Sequence, residues 1–368
     1  MYRYTFLSSE WNINMPVKSI IKTLSNSRLS TYKQPHLCDV SDEQSLGLYV
    51  WNKQLSGLFY PVLQVLEVSL RNAINNAYIE YHEQLVEANY QPQDWAKEKA
   101  KIDQFWFSNS YTNQNNSKGF QQIVKAKKDL VREGKAITPD NLIAKLTFGF
   151  WVHLTDKNHR SSQSLANPPI IELWPKLNNF VFPYAKDLNG TSLSINHISS
   201  NLFEINRLRN RIAHHEPIWK ATDLFDSDDS INMVISHYER CLKVIHWINP
   251  NNLKLLSVID NDKLMGIACT QHTLWRSKML ASGLYSVPDI IKWKERHEIN
   301  TRRKGEVVSV TANYAIIRCK KSHQIFYTNQ SMQKRRKAWP LTVGIDVTFI
   351  PKPASAQGNH PNATQVKQ

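Results

Sequence analysis

The chain has 368 residues, 41% of them hydrophobic, and a formal net charge of +15. This size allows two or three domains with buried cores, and the four scattered cysteines exclude a disulfide framework or a cysteine-based zinc site. With no apolar run long enough for a bilayer and no signal-peptide pattern, we expect a soluble cytoplasmic protein without a membrane partner. The positive charge favours a polyanionic partner.

Apolar residues that recur at three- and four-residue steps predict four amphipathic helices in the first two-thirds of the chain. A proline at position 61 falls in the first helix, where it is tolerated in the opening turn or at a kink. Residues 252 to 298 carry a weaker pattern, which predicts a helical connector. The first helix is expected to begin at Phe59, and the second at Asp140, with Phe150 and Leu154 on its buried face. The third is expected to span about Leu202 to His215. The fourth is expected to begin near Asp229 or Ser230 and to end before Pro250.

The third predicted helix ends in a dense cluster of basic side chains, residues 207 to 215, with three arginines and two histidines. Pro217 disfavours helical backbone at Glu216, so the helix is expected to end there. At a helix C-terminus the macrodipole favours a charged imidazole, whereas the neighbouring arginines disfavour it. A histidine balanced between these effects can exchange protons near neutral pH, as general acid–base catalysis requires.

The spacing within this cluster limits which side chains can act together. Asn210 and His214 are four residues apart, about 40° around the helix, so the amide can orient the imidazole. Arg209 and His214 are five residues apart, about 140° around, and cannot face one point from a single helix. We therefore expect them to meet across a homodimer interface or a pseudo-symmetric one. The alternative is structural, because basic residues at a helix end often only complement its dipole.

The same cluster resembles a known signature. Residues 208 to 215 are Leu208-Arg209-Asn210-Arg211-Ile212-Ala213-His214-His215. This run is similar to the signature of Abi-like proteins, the abortive-infection branch of the HEPN superfamily of metal-independent endoribonucleases. Further stretches agree with that family in the same order, so the resemblance covers roughly residues 20 to 250. These stretches are Leu29–Tyr32, Tyr49–Asn52, Leu66–Ile74 and Leu146–Trp151.

The resemblance implies a HEPN-like helical bundle that cleaves RNA through the ribose 2′-OH, with no metal or other cofactor. In this interpretation His214 is the general base or acid, and Arg209 stabilises the charge of the transition state. Glu67 would orient one of them; with equal weight, it forms a common surface ion pair with Arg71. The implied catalytic residues are Arg209, Asn210, His214 and Glu67, and the implied RNA-binding residues are Arg211 and His215.

After Arg303 the apolar period changes from helical to two, which predicts short β-strands. Residues 302 to 337 hold ten basic side chains and one acidic one, so they supply +9 of the total +15. Tyr314 and Ile316 on one strand and Phe326 on the next are expected on one face, where they would contact the bases of single-stranded RNA. Tyr327 would face the other way, where it binds RNA or, with equal weight, fills the core. Four consecutive basic residues in a predicted loop would contact RNA phosphates; the alternative is that they are only solvated. They are Lys334, Arg335, Arg336 and Lys337.

Residues 304 to 366 resemble a cold-shock or S1-like OB-fold, although one stacking aromatic of a strong cold-shock strand is missing at positions 313 to 316. The predicted fold class is therefore mainly α: a HEPN-like helical bundle with a small C-terminal all-β OB-fold barrel. We expect a helical domain over residues 1–255, a helical connector over 256–300 and the barrel over 301–368.

Together these features predict an endoribonuclease toxin of phage defence, with an appended module that binds single-stranded RNA. Such an enzyme needs restraint, so a bound non-coding RNA or a protein antitoxin is an expected partner, besides the substrate RNA and a second copy of the chain. The alternative is a non-catalytic RNA-binding or scaffold protein of a defence or toxin–antitoxin system. A DNA-binding regulator is disfavoured, because no helix-turn-helix pattern is evident.

Overall fold

A computed structural model of the chain describes residues 17–37, 40–112, 117–161, 171–221, 224, 227–279, 303–320, 325–332, 341–352, 360 and 362–367. These residues are mainly helical and end in a small closed β-barrel, which confirms the mainly α fold class. The helices are α1 (Val17–Leu24), α2 (Asn26–Ser30), α3 (Asp42–Asn89), α4 (Trp95–Lys99), α5 (Trp106–Asn109), α6 (Lys118–Arg132), α7 (Pro139–Lys145), α8 (Phe148–His153), α9 (Asn178–Val181), α10 (Ile195–Ala213), α11 (Ser227–Ile248), α12 (Leu253–Val258), α13 (Asn261–Ala268) and α14 (Gln271–Met279).

The chain divides into two compact units that are each assembled from separate segments. One unit comprises Met1–Leu55, Glu216–Ile235 and Gly266–Gln368, and the other comprises Ser56–His215 and Ser236–Met265. The expected boundaries at residues 255 and 300 remain predictions. Among the helices that the structure describes, none combines the length and the apolar character that a bilayer span needs.

The long helix α3 begins at Asp42 and not at Phe59, so Pro61 lies well inside it. A capping box sets the start: the Gln44 N–H donates to the Ser41 hydroxyl at 3.2 Å, and the Ser41 N–H donates to the Gln44 side-chain oxygen at 3.1 Å. The buried stripe predicted for the later half of the helix is present, and its fully buried members include Phe59, Leu66 and Ile74.

The helix predicted from Asp140 is two short helices, α7 and α8, although its expected apolar residues are buried. The hydroxyl of Thr138 accepts from the Asn141 N–H at 3.2 Å and caps α7. The hydroxyl of Thr147 accepts from the Phe150 N–H at 3.4 Å and caps α8. A threonine that satisfies free helix N–H groups starts a new helix, which explains the break at Leu146.

The α10 helix begins seven residues before the predicted start at Leu202, because the hydroxyl of Ser194 accepts from the His197 N–H at 3.3 Å. Its buried face consists mainly of Ile198, Leu202, Ile205 and Leu208. From Leu202 onward these residues follow the apolar spacing from which the helix was predicted. The α11 helix ends at Ile248, before Pro250, as expected.

The barrel closes in the strand order β1-β2-β3-β5-β4, with β4 paired back to β1. The β3–β5 pair is parallel, and the other neighbours are antiparallel. Its core is formed by alternate inward-facing residues, among them Val307, Ile317, Phe326 and Phe349. The strands are β1 (Arg303–Val310), β2 (Tyr314–Cys319), β3 (Ile325–Asn329), β4 (Asp346–Lys352) and β5 (Asn362–Lys367).

Candidate functional site

The basic cluster lies at the C-terminus of α10, which ends at Ala213, two residues before the predicted end. His214 is the C-cap, and its N–H donates to the Asn210 carbonyl at 2.9 Å. This is the ordinary main-chain bond of a helix end, and the orienting role of the Asn210 side chain stays a prediction. Both side chains are exposed, and so is that of His215. The histidines thus lie exposed at the end of a helix whose opposite face is buried.

His215 has a left-handed backbone, with φ of 59°. This is the position after the C-cap where many helices place glycine, because a side chain there costs about 1–2 kcal/mol. Its N–H donates to the Ile212 carbonyl at 3.0 Å, which closes the last helical turn. Glycine would be less strained at this position. The presence of histidine therefore indicates that its imidazole side chain has a role there.

The arginines of α10 differ in their surroundings. Arg207 is exposed and forms an ion pair with Glu204 at 2.6 Å. Arg209 is half-buried, and within the part of the chain that the structure describes its guanidinium has neither a hydrogen bond nor an ion pair. Arg211 is also half-buried. Arg209 is therefore the motif arginine whose charge remains available to an anionic ligand.

Glu67 lies on α3 and is half-buried. Among the described residues it makes no hydrogen bond or ion pair, so the structure joins it neither to Arg71 nor to Arg209 or His214. The Arg71 guanidinium instead donates to the Ala144 carbonyl at 3.4 Å. Among the described residues Glu67 and Arg71 form no ion pair, and the orienting role of Glu67 remains a prediction.

Two residues that sequence reasoning missed lie on α11. Burial, and then the positive charges of Arg240 and Arg211, lower the pKa of His237 to about 4. The Nε2 atom of this half-buried imidazole is buried and has no hydrogen-bond partner in the structure. The only sequence signal was the three-residue spacing of His237 and Arg240, which puts both on one face of a helix. Their proximity to Arg211 depends on the packing of α10 and α11.

Asn52 holds the segment that follows the histidines. Its side-chain amide donates to the Glu216 carbonyl at 3.0 Å, and its side-chain oxygen accepts from the Ile218 N–H at 2.9 Å. It also contacts the Tyr32 hydroxyl at 3.3 Å. Asn52 is fully buried, as is the neighbouring Trp51. Two of the stretches that carry the family resemblance therefore contact each other and fix the backbone after the motif.

On the barrel, Tyr314 and Tyr327 lie side by side on the outer face of β2 and β3, with ring centroids 5.4 Å apart. Tyr314 is 37% exposed, and Tyr327 and Ile316 are half-buried. Arg318 is exposed further along β2. These side chains form a continuous aromatic and basic surface, here called the tyrosine face, defined by Tyr314, Ile316, Arg318 and Tyr327.

The prediction that Phe326 contacts RNA is wrong. Phe326 is fully buried in the barrel core, with its ring centroid 4.8 Å from that of Phe349. The register explains the error, because Ile316 pairs with Tyr327 and Ile317 pairs with Phe326. Directly opposed residues share a face of the sheet, so Tyr327 belongs with Ile316 outside and Phe326 belongs inside. The loop run predicted to contact phosphates, residues 334 to 337, lies outside the described residues.

A family model described as Abi-like protein matches residues 19–220. The match covers more than half of the chain and includes the Arg209–His214 motif, and the chain belongs to the Abi-like protein family. No curated protein matches the chain, and no solved structure matches it. The barrel lies outside the matched residues.

Proposed function

We propose that this Abi-like protein is a metal-independent endoribonuclease of the HEPN type that acts in abortive infection, as a toxin of phage defence. The observation that carries the proposal is the end of α10, where exposed His214 follows half-buried Arg209, whose guanidinium has no polar partner among the described residues. An accessible imidazole and an uncompensated cation in one motif are the two groups that RNA cleavage by 2′-OH attack requires.

In the proposed reaction, the His214 imidazole takes the proton of a ribose 2′-OH. The 2′-oxygen forms a bond to the adjacent phosphorus, and the bond to the 5′-oxygen breaks. The leaving oxygen takes this proton from the His214 imidazolium, which gives a 2′,3′-cyclic phosphate and a 5′-hydroxyl and returns the imidazole to its neutral form. Arg209 stabilises the additional negative charge on the phosphorane-like transition state, where a preorganised cation lowers the barrier.

The proposed active form is a homodimer in which Arg209 of one copy acts with His214 of the other. The two residues are five positions apart, about 140° around a helix, so one copy does not direct both to the same phosphate. Equal amounts of Arg209→Ala and His214→Ala chains, unfolded together and refolded, would give about one half mixed dimers, each with one intact site of two. About a quarter of wild-type activity should return. Activity that stays at zero would contradict the shared site.

The proposed role of the barrel is to bind single-stranded RNA. Its closed five-stranded order is compatible with an OB-fold, in which the face of strands 2 and 3 binds oligonucleotides. The tyrosine face lies on those two strands and offers two aromatic rings beside an exposed arginine. Stacking of bases on such rings is independent of sequence, so the barrel would recruit RNA and leave its selection to other contacts.

The decisive experiment is to incubate the purified chain with total RNA in EDTA. Wild-type protein should produce fragments with 2′,3′-cyclic phosphate ends, and His214→Ala and Arg209→Ala should produce none. His246→Ala is the matched control, because His246 is an exposed histidine on α11 outside the motif. Cleavage that persists in the double variant of Arg209 and His214 would refute the assignment.

A bound non-coding RNA or a protein antitoxin is the proposed restraint on this activity. The appended barrel motivates the RNA form, because a second RNA-binding surface can hold an inhibitor apart from the substrate. RNA of defined length that copurifies from native expression supports it. Protein that is free of nucleic acid and of any second chain, yet harmless to the cell, contradicts it.

The second candidate is a non-catalytic RNA-binding or scaffold protein. It is favoured by the tyrosine face and the basic helix end, which can hold RNA without chemistry. In that case wild-type protein would bind RNA without cleaving it, and His214→Ala would only weaken the binding.

A further inference from the structure

The α8 and α10 helices contact each other and run in opposite directions. His153, at the end of α8, has its ring centroid 5.2 Å from that of Phe203 on α10. Gly149, one turn earlier on α8, lies beside Asn206, one turn later on α10: a Cβ built on the glycine would be 3.6 Å from the Asn206 Oδ1 atom. Because the helices are antiparallel, the beginning of α8 and the end of α10, which carries the motif, lie at the same end of the pair.

Asn206 has an unused side-chain amide on this face of α10. It is half-buried, and among the described residues its amide makes no hydrogen bond. Arg209 and Asn210 are three and four residues further along the helix, so they share a face with Asn206. A Cβ at Gly149 would be 3.7 Å from the Asn206 Nδ2 atom and 3.8 Å from the Thr147 hydroxyl oxygen, so the glycine leaves the amide uncovered on that side. A hydrogen-bond donor and an acceptor therefore lie one helical turn from the motif arginine.

A hydrogen bond joins α6 to the start of α8. The Thr147 hydroxyl, at the N-cap of α8, donates to the Gln122 side-chain oxygen on α6 at 2.7 Å. Lys118 and Lys125 are four residues before and three residues after Gln122, so all three share a face of α6. Both lysines are exposed, and neither forms an ion pair with any residue that the structure describes. Positive charge that these residues do not neutralise therefore lies on the face of α6 that contacts α8.

These side chains belong to one polar surface that crosses three helices. The Thr147–Gln122 hydrogen bond joins α6 to α8, and Thr147 and Asn206 both approach Gly149, which joins α8 to α10. All of its residues lie in the helical unit that also contains the motif. We call it the α6–α10 surface and define it by Lys118, Gln122, Lys125, Thr147 and Asn206.

We propose that the α6–α10 surface binds the stretch of single-stranded RNA that leads to the motif. Lysine ammonium groups bind phosphates whatever the sequence, and lysines without an internal partner attract a polyanion. Asp129, the one acidic residue of α6, is paired with Arg132 at 2.8 Å and so leaves the lysines uncompensated. The Asn206 amide would donate to and accept from the sugar or base of a nucleotide next to the cleaved bond.

This inference deepens the proposed function and rests on it for one point, that the bound strand is the substrate. Asn206 would be a positioning residue, because it holds the strand and takes no part in the proton transfers. The tyrosine face belongs to the barrel, whereas the α6–α10 surface belongs to the helical unit. RNA binding by the two surfaces can therefore be measured separately.

The test measures the binding of a labelled single-stranded oligoribonucleotide to the full-length chain by fluorescence anisotropy. Every protein carries His214→Ala, which removes the proposed cleavage, and Tyr327→Ala, which weakens the proposed binding by the barrel. Lys125→Gln should weaken binding and lower the slope of log Kd against log salt by about 0.7, the value of one phosphate contact in a single strand. Lys127→Gln is the matched control, because Lys127 lies about 160° around α6 from Lys125 and should change neither quantity.

Gly149→Ala tests the Asn206 amide without removing it. The added Cβ would meet its neighbours at ordinary contact distances of 3.6 Å or more, and alanine favours a helix over glycine, so the melting temperature should not fall. RNA affinity should nevertheless fall about 2- to 10-fold, as in Asn206→Ala, because the methyl group covers the amide. In the control Asn201→Ala it should stay unchanged, since the Asn201 amide already donates to the His197 carbonyl at 2.9 Å.

Two results would overturn the α6–α10 surface: equal affinities and salt slopes in Lys125→Gln and Lys127→Gln, or a Gly149→Ala chain that binds RNA as tightly as its parent. Cleavage of RNA by the wild-type chain is scored in a separate assay. A chain that binds RNA at this surface and never cleaves it would remove the proposed reaction and keep the surface, so the two failures are distinguishable.

Discussion

Two neighbouring residues of β3 allow the proposed RNA binding of the barrel to be tested separately from its folding. Tyr327 lies on the tyrosine face, whereas Phe326, the residue before it, lies in the core. We predict that Tyr327→Ala weakens the binding of single-stranded RNA and leaves the barrel folded. Phe326→Ala should unfold the barrel, because it leaves a cavity next to Phe349, the ring that Phe326 contacts.

The first substitution is expected to change the affinity for RNA, and the second the free energy of unfolding. Loss of one stacking ring costs about 1–3 kcal/mol, which is roughly a 5- to 150-fold increase in Kd. The upper part of this range applies if Tyr314, 5.4 Å away, loses its alignment as well. Truncation of a fully buried phenylalanine costs about 3–5 kcal/mol of unfolding free energy, a large share of what a small domain has.

Fluorescence anisotropy with a labelled single-stranded oligoribonucleotide measures the first effect, and urea unfolding followed by tryptophan fluorescence and circular dichroism measures the second. Arg318→Gln, on the same face, should lower the affinity and reduce its salt dependence, since it removes one phosphate contact. If Tyr327→Ala binds RNA as tightly as the wild type while its barrel remains folded, the tyrosine face is not the RNA-binding surface.

Three further changes test the fold. Gly305→Ala should lower the melting temperature of the barrel, because its Cβ would lie 2.6 Å from Ile317 Cγ2; unchanged calorimetry would contradict this. His215→Gly should add about 1 kcal/mol to the unfolding free energy in urea by relieving the left-handed backbone, and a loss would show that its side chain contributes more than the strain costs. Burial lowers the pKa of His36 to about 4, below its unfolded value of 6.5, so the stability that it contributes is present above pH 6.5 and is lost as the pH falls towards 4. His36→Gln should lose less stability than the wild type over that range, by an amount on the order of 3 kcal/mol.

The start of α3 shows what periodicity alone misses. The apolar stripe from Phe59 onward is amphipathic and was readable, because one side of the helix is buried there. Between Ser45 and Leu48 the helix is buried on every side, so no stripe exists to be counted. The capping box of Ser41 and Gln44 was present in the sequence and gives the true start. Local hydrogen-bonding signals therefore carry information where the hydrophobic pattern does not.

The placement of Phe326 could not be obtained from its own strand. Alternation shows that Phe326 and Tyr327 face opposite ways, but the choice of the inner residue depends on the register against β2. In the structure Ile316 pairs with Tyr327, and this pairing cannot be obtained from the composition of β3 alone. The sequence predicts the strands, and the pairing decides which aromatic reaches solvent.

The candidate site was partly readable for a similar reason. The motif from Arg209 to His214 is contiguous, so spacing and resemblance reveal it. His237 lies on a different helix, 23 residues beyond His214, and becomes relevant only when α10 and α11 pack. The spacing of Glu204 and Arg207 is compatible with their ion pair, but only the structure shows that Arg209 has no such partner among the described residues.

This division of charge gives a physical reason to place the proposed RNA cleavage at the end of α10. A guanidinium that is compensated by a carboxylate within the chain has little energy to gain from a phosphate, since the existing pair must first be broken. Arg207 is in that state, and Arg209 and Arg240 are not, as far as the described residues extend. Their charges raise the free energy of the isolated protein and are stabilised when a polyanion binds. In the proposed reaction, Arg209 would also face the phosphate on which negative charge develops, so binding and transition-state stabilisation would depend on the same guanidinium.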